Sequence, residues 1–374
     1  MATQSYSSKM ATLPLCLKPN LPDRDIDLHS TPTLKDVAEA AGVATTTVAR
    51  VINDKGYVAE DTRERVMKAV EATGYRVNSL ARTLKSNRSN VIGHLLRSTD
   101  PNPFFVKVAR GVEEYARGRS YTTLTYNMQG AAEAERRGID TFLNWRVDAL
   151  VFSTPVSEDN VAYAVKSGVP VVQVERPRSE AGHRITVKNY QGASRAMRHL
   201  LDLGHRSIAY IGEEPGSQGN AFADYVEEER FGAYRDAKKN HGAFDEALVR
   251  FTRPQSAEHI PGAGYGARAM SSILDAGTKV TAVLASSDMI AAGVLQAVHA
   301  SGLRSPEDVS VIGFDDTLSP YLSPLLTTVR LPAQKLGETA AKLLIDQLEK
   351  PGSKANKLIE LDAEFVVRDS TAPV

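Results

Sequence analysis

The sequence predicts a small all-α headpiece followed by a two-lobed α/β body. Three observations carry that reading. Residues 33–53, TLKDVAEAAGVATTTVARVIN, hold two short helical patterns broken at a glycine. From Asn90 onward, short β-rich runs alternate with amphipathic helical stretches. A chain of 374 residues also has room for two or three domains.

In the headpiece, Leu34, Val37, Ala38 and Ala41 recur at helical spacing, and so do Val43, Val48, Val51 and Ile52. Gly42 lies between them and supplies the turn, because a residue without Cβ takes positive φ cheaply. Helix, glycine turn and second helix form the layout of a helix-turn-helix, whose second helix enters the major groove. A third pattern follows in YVAEDTRERVMKAVEATGY, with Val58, Val66, Ala69 and Val70 inward and Asp61 or Thr62 as candidate N-cap. The headpiece is expected over 32–76. Residues 77–89 form a linker with Leu80, Ala81 and Leu84 at helical spacing, too short to be a stable helix alone. Residues 1–31 read as a flexible polar tail, within which Met10 is an alternative start. The apolar run before Cys16 is too short, and too interrupted by Pro14, to be a lipoprotein signal.

In the body, VIGHLL, TTLTYN, ALVFSTP, PVVQVE, SIAYIG, AVLASS and VSVIGF read as strands. FFVKVARGVEEYARGR, AERRGIDTFLNWR and YQGASRAMRHLLDLGH read as helices between them. Such alternation argues for parallel sheets with helices on both faces. The body spans 90–374, with one lobe at about 90–185 plus 327–350 and the other at about 186–326 plus 351–374.

Formal net charge is zero, so the whole chain gives no sign of a nucleic-acid partner. Between Thr31 and Arg88, however, ten Lys/Arg stand against seven Asp/Glu, enough for a small domain that neutralises a few phosphates. A single cysteine, Cys16, excludes an internal disulfide framework and fits a reducing cytoplasm. No apolar run approaches the ~20 residues that span a bilayer, so no membrane partner is expected.

The string DVAEAAGVATTTVARVIN, placed just before a two-lobed α/β body, resembles the DNA-binding headpiece of the LacI/GalR family of bacterial transcriptional regulators. The resemblance runs from about Thr33 to Arg368. It implies that Thr45 and Thr46 choose operator bases and that Arg50 takes a guanine edge bidentately. It implies that Thr33, Thr47 and Asn53 anchor phosphates, with Tyr57 and Thr62 flanking that surface. Residues 77–89 become a hinge helix that folds when two meet on DNA, and Leu84 a wedge into the minor groove. Two departures stand out. Ala44 and Ala49 replace family serines, and an N-cap hydroxyl lost at Ala44 costs ~1 kcal/mol.

The body resembles the periplasmic sugar-binding fold, in which ligand sits between the lobes at the carboxyl ends of the strands. Positions matching that site are Arg97, Phe104, Phe105, Ser153, Glu175, Arg230, His259, Ser287, Asp288 and Asp315. Acid and arginine groups at strand ends suit a polyol, since each can bond adjacent hydroxyls. Each also has a plain reading: Asp315-Asp316 as a turn cap, Arg230 as a surface charge. Ala233 replaces a family glycine after Arg230.

Signals for catalysis are weak. No HExxH, GxSxG or Walker pattern occurs, and GEEPGSQGN lacks the Lys-Ser/Thr of a phosphate loop. The eight histidines show no metal-ligand spacing. No catalytic residue, metal or cofactor is expected. The resulting expectation is a cytoplasmic, nucleoid-bound repressor that acts as a homodimer, since the tetramerising leucine heptads are absent. Its partners would be a palindromic double-stranded operator and a carbohydrate effector, for example a disaccharide such as sucrose. The alternative is a solute-binding protein for uptake, against which residues 33–85 count.

Overall fold

The computed structural model describes residues 32–54, 56–76, 88–97, 103–175, 177–215, 225–241, 244–252, 262–350 and 356–374. The chain divides into two compact units, 1–79 and 80–374.

The first unit holds α1 (Leu34–Ala41), α2 (Thr45–Ile52) and α3 (Glu60–Thr73). Thr33 opens α1 with a capping box. Its hydroxyl accepts from the Asp36 amide, and the Asp36 carboxylate takes the Thr33 N–H at 2.7 Å. Gly42 closes α1 in the left-handed region (φ 65°, ψ 39°), and its N–H reaches the Ala38 and Glu39 carbonyls. Val37, Ala38, Ala41, Val48, Val51, Val66 and Ala69 form one buried cluster. Arg65 of α3 donates to the Ala41 carbonyl at 3.2 Å, tying the third helix to the end of the first. One expectation is corrected. Neither Asp61 nor Thr62 caps α3, because the helix starts earlier, at Glu60, and its N-cap is Ala59 with no side-chain bond.

The second unit contains two six-stranded sheets. The first lobe is built from β1 (Val91–Leu96), α4 (Phe104–Arg117), β2 (Thr122–Asn127), α5 (Ala132–Asn144), β3 (Ala149–Ser153), α6 (Glu158–Lys166), β4 (Val171–Val174) and β5 (His183–Val187). The second lobe follows with α7 (Asn189–Asp202), β6 (Ile208–Glu213), α8 (Tyr225–Asn240), β7 (Val249–Thr252), α9 (Gly262–Asp275), β8 (Ala282–Ala285), α10 (Asp288–Ala300), β9 (Ser310–Asp315) and β10 (Thr327–Arg330). The chain then returns as α11 (Ala333–Glu349) and β11 (Leu358–Leu361), and crosses once more to β12 (Glu364–Val366).

Strand order is β11-β5-β4-β3-β1-β2 in the first sheet and β12-β10-β9-β8-β6-β7 in the second. All pairings are parallel except β10 with β12. Central strands such as ALVFS and AVLA are buried throughout, as strands covered by helices on both faces must be.

Pairing corrects the expected lobe boundaries. Thr327–Arg330 belongs to the second sheet, beside β9, and the return to the first lobe begins with α11. Leu358–Leu361 pairs with β5 in the first sheet, and the second is rejoined only at Glu364. β5 likewise extends the first lobe to Val187. The crossings are only one or two residues long, so periodicity does not mark them.

Within each lobe one helix pair packs backbone to backbone. A Cβ on Gly111 of α4 would strike the Gln334 carbonyl of α11, and one on Gly337 would strike that of Val108. Gly266 and Gly293 do the same for α9 and α10. Gly337→Ala therefore has to push α4 and α11 apart. We expect it to destabilise the body by about 1–3 kcal/mol, the usual cost of overpacking. The measurement is the urea midpoint of the purified chain, and an unchanged midpoint would contradict the packing described.

Candidate nucleic-acid interface and effector site

The candidate nucleic-acid interface is centred on α2. Val48 and Val51 point into the headpiece core, which leaves Thr45, Thr46 and Arg50 exposed on the other face. Thr47 is half-buried. Ala44 is the N-cap and makes no side-chain bond, as its lack of a hydroxyl requires. Asn53 closes the helix, its side-chain amide donating to the Ala49 carbonyl at 2.7 Å. Tyr57 stands almost fully in solvent, 93% exposed. Thr33 and Thr62 are engaged locally, with Asp36 and Asp61. Leu84 lies outside the described residues.

The candidate effector site is centred on Arg230 in the second lobe. Arg230, on α8, is buried, and three elements position its guanidinium. Nε donates to Asn189 Oδ1 at the start of α7 at 2.9 Å, and Nη1 donates to the Ser286 carbonyl beyond β8 at 2.8 Å. The group lies 4.0 Å above the Phe314 ring on β9. Asp315 ends β9 beside it, with φ of 101°. Thr317 donates to Asp315 Oδ1 through both its N–H (3.0 Å) and its hydroxyl (2.5 Å).

Burial, reinforced by the neighbouring Asp288 carboxylate, pushes the Asp315 carboxyl up to about 7, and Arg230 partly opposes the rise. Asp288 is itself raised by burial. Its oxygens are engaged inside the lobe: Oδ2 accepts from the N–H groups of Leu318 and Ser319 and from the Ser319 hydroxyl, and Oδ1 from Thr328. Ser287 is the N-cap of α10, bonded to the Ile290 amide. The structure thus brings Arg230, Asp315, Ser287 and Asp288 together at the carboxyl ends of β8 and β9.

In the first lobe, Ser153, Arg97 and Glu175 stand at or just past the ends of β3, β1 and β4. Ser153 Oγ is 2.8 Å from His94 Nε2 on the adjoining strand, and its carbonyl accepts from the Arg97 amide. His94 is fully enclosed, and burial pushes its pKa down to about 3, so the ring is neutral. Glu175 has φ of 71°. Phe104 packs edge-to-face on Phe105, with ring centroids 5.4 Å apart, and is itself a core residue. His259 lies outside the described residues.

Sequence reasoning missed several residues at this edge. Arg178 is buried after β4, its Nε held by the Pro155 carbonyl at 2.8 Å. Glu135 is buried and caps the start of α6 by accepting from Val156 and Ser157 amides. Asp316 pairs with Arg330 (2.6 Å) and Arg368 (2.8 Å). The available signal was a charge adjoining a β-rich run, as in VERPR and GFDD. Among the described residues no group of three His, Cys, Asp or Glu could hold a metal, and no helix is long and apolar enough to cross a membrane.

A helix-turn-helix unit followed in the chain by a two-lobed body with polar groups at its strand ends is the make-up of a ligand-responsive DNA-binding regulator. The comparisons with known proteins agree. Residues 33–78 match the model of bacterial regulatory proteins of the lacI family, and 197–371 match a periplasmic binding protein-like domain. The HTH-type transcriptional repressor PurR of Aliivibrio fischeri is 33% identical over 350 residues, covering 91% of this chain and 98% of the relative. A lac repressor dimer bound to operator and the anti-inducer ONPF aligns with a TM-score of 0.77 at 25% identity, covering 92% of this chain and all of that one. A complex of the transcriptional regulator CelR with cellobiose aligns at 0.66 and 28% identity, covering 91% and 99%. The chain belongs to the lacI family of bacterial regulatory proteins. It is a bacterial regulatory protein with a helix-turn-helix headpiece and a periplasmic binding protein-like body.

Two outcomes follow from this geometry. Arg50→Ala is expected to leave the headpiece folded, because Arg50 is outside its core, and to weaken specific operator binding about 5- to 150-fold, the ~1–3 kcal/mol of discrimination that a bidentate guanine contact gives. A footprint unchanged from wild type would refute it. The second concerns Asp315, whose folded pKa lies above the ordinary carboxylate value. The neutral form contributes stability that is complete below about pH 4 and is lost as pH rises through about 7. Asp315→Asn stays neutral, so its melting temperature relative to wild type should climb between those limits. Parallel curves would refute the assignment.

Proposed function

We propose that the effector is a carbohydrate held between the lobes, and that it changes operator affinity by favouring one lobe arrangement over the other. The observation that carries this reading is the buried Arg230 beside Asp315 at the strand ends. One offers a planar fork of donors, the other acceptors, and together they match neighbouring hydroxyls. Ser153, Arg97, Glu175, Phe104 and Phe105 are proposed to complete the site from the first lobe, with His259, Ser287 and Asp288 as the remaining contacts. The CelR regulator, solved as a complex with cellobiose, supports a sugar, and a disaccharide such as sucrose fits the proposal as well as a monosaccharide.

On the DNA side, Thr45, Thr46 and Arg50 are proposed to read bases, and Thr33, Thr47, Asn53, Tyr57 and Thr62 to meet the backbone. Leu84 is proposed as the minor-groove wedge. A symmetric homodimer reading a palindrome is the proposed assembly, since two-fold symmetry in the protein calls for it in the site. The lac repressor relative, a dimer on its operator, supports it. The proposed location is the bacterial cytoplasm.

A thermal-shift panel of ribose, sucrose, cellobiose and free nucleobases tests the ligand class. A sugar at ~100 times its Kd should stabilise the chain by about 2.7 kcal/mol. Arg230→Lys and Asp315→Asn should lose that shift while still binding operator in the absence of sugar. A response to nucleobases alone, or a full sugar response in both variants, would overturn the proposal.

A further inference from the structure

We propose that Lys107 is an inter-lobe latch, the positioning residue through which the state of the effector site reaches the lobe arrangement. Its signalling role rests on the effector reading above; the latch itself rests on geometry alone.

Lys107 lies on α4 of the first lobe, one turn beyond Phe104. Its Nζ donates across to the Asp316 carbonyl of the second lobe at 3.1 Å. The acceptor is no ordinary loop carbonyl. Asp316 has φ of 56° and follows Asp315 at 101°, so two successive residues hold left-handed backbone that L side chains rarely adopt. The Asp316 carboxylate is committed within the second lobe, with Oδ2 on Arg330 at 2.6 Å and Oδ1 on Arg368 at 2.8 Å. Its carbonyl is the atom given to the first lobe.

Each partner of Asp316 is placed to transmit. Arg330 is the last residue of β10, just before the chain crosses to α11, and its other arm holds Glu364 at 2.9 Å. Glu364 is the first residue of β12, just after another crossing. Asp316 thus ties the latch to two of the short segments about which the lobes must turn. On its other side, Asp315 is bonded to Thr317 through N–H and hydroxyl. A ligand that re-aims the Asp315 carboxylate therefore moves the 315–317 peptides that carry the latch acceptor. Adjacent residues on one backbone give the effector and the first lobe separate handles on one strained turn.

The test needs no effector. In the full chain with Cys16→Ser, the sole cysteine is removed and spin labels can be placed at Lys166→Cys and Asp275→Cys. Both positions are exposed, one in each lobe. Labelled chain diluted into unlabelled chain reports the distance between lobes by double electron–electron resonance. We expect one population with Lys107, a second and longer one in Lys107→Met, and restoration in Lys107→Arg, which can still donate to the carbonyl. Hydrogen exchange should accelerate in the peptide covering 315–318 of Lys107→Met and stay unchanged in β6 and β8. Superimposable distance distributions would overturn the latch, as would equal loss in the Arg and Met variants or faster exchange throughout the second lobe. A sugar panel that finds no ligand leaves these readouts standing, so failure of the effector reading is distinguishable from failure of the latch.

Discussion

The second lobe depends on one buried carboxylate. Asp288 accepts from two consecutive amides and a hydroxyl at 318–319 with one oxygen, and from Thr328 of β10 with the other. A charged acceptor in a low-dielectric interior is tolerable only when so fully satisfied. In return it fixes the loop that leaves β9 against the strand that follows. Even Gly313 answers to it, since a Cβ there would collide with Asp288 Oδ1. The left-handed turn at Asp315 and Asp316, the position of Arg230 beside it and the approach of Lys107 are all arranged on a loop pinned in this way.

Adjacent residues in that turn meet opposite fates. Burial and the nearby Asp288 drive Asp315 toward its neutral form. Asp316, one residue on, sits between the guanidinium groups of Arg330 and Arg368. Positive φ at both residues accompanies this separation, with one carboxylate on Thr317 and the other on Arg330 and Arg368.

The helix-turn-helix was legible because two independent signals agree: apolar residues at helical spacing and a glycine where the chain must take positive φ. The buried strands were legible for a similar reason, as VIGHLL and VSVIGF can hardly be solvent-facing. What escaped was structure whose cause is not local. β10 and β11 are four residues each, and nothing within TTVR or LIEL says which sheet will accept it. Residue types at the site were found where a strand ends in a charge, but their work was harder to read. Asp288 braces a loop and Phe104 packs into the core, work that no local pattern announces. Arg178 and His94 were passed over because burial of a polar side chain is a property of the fold, not of its neighbours in sequence.

The bare start of α2 has a consequence of its own. Ala44 puts no side-chain oxygen over the first-turn amides; its carbonyl takes the Thr47 N–H at 2.9 Å, and the start of the helix stays open to an outside acceptor. A helix end of this kind carries partial positive charge directed along its axis. Any phosphate it meets is gripped by main chain, and exchanging one side chain for another does not remove that grip. Part of such a hold on DNA would be silent in an alanine scan of the helix and visible only to a change in the backbone itself, such as an ester in place of an amide.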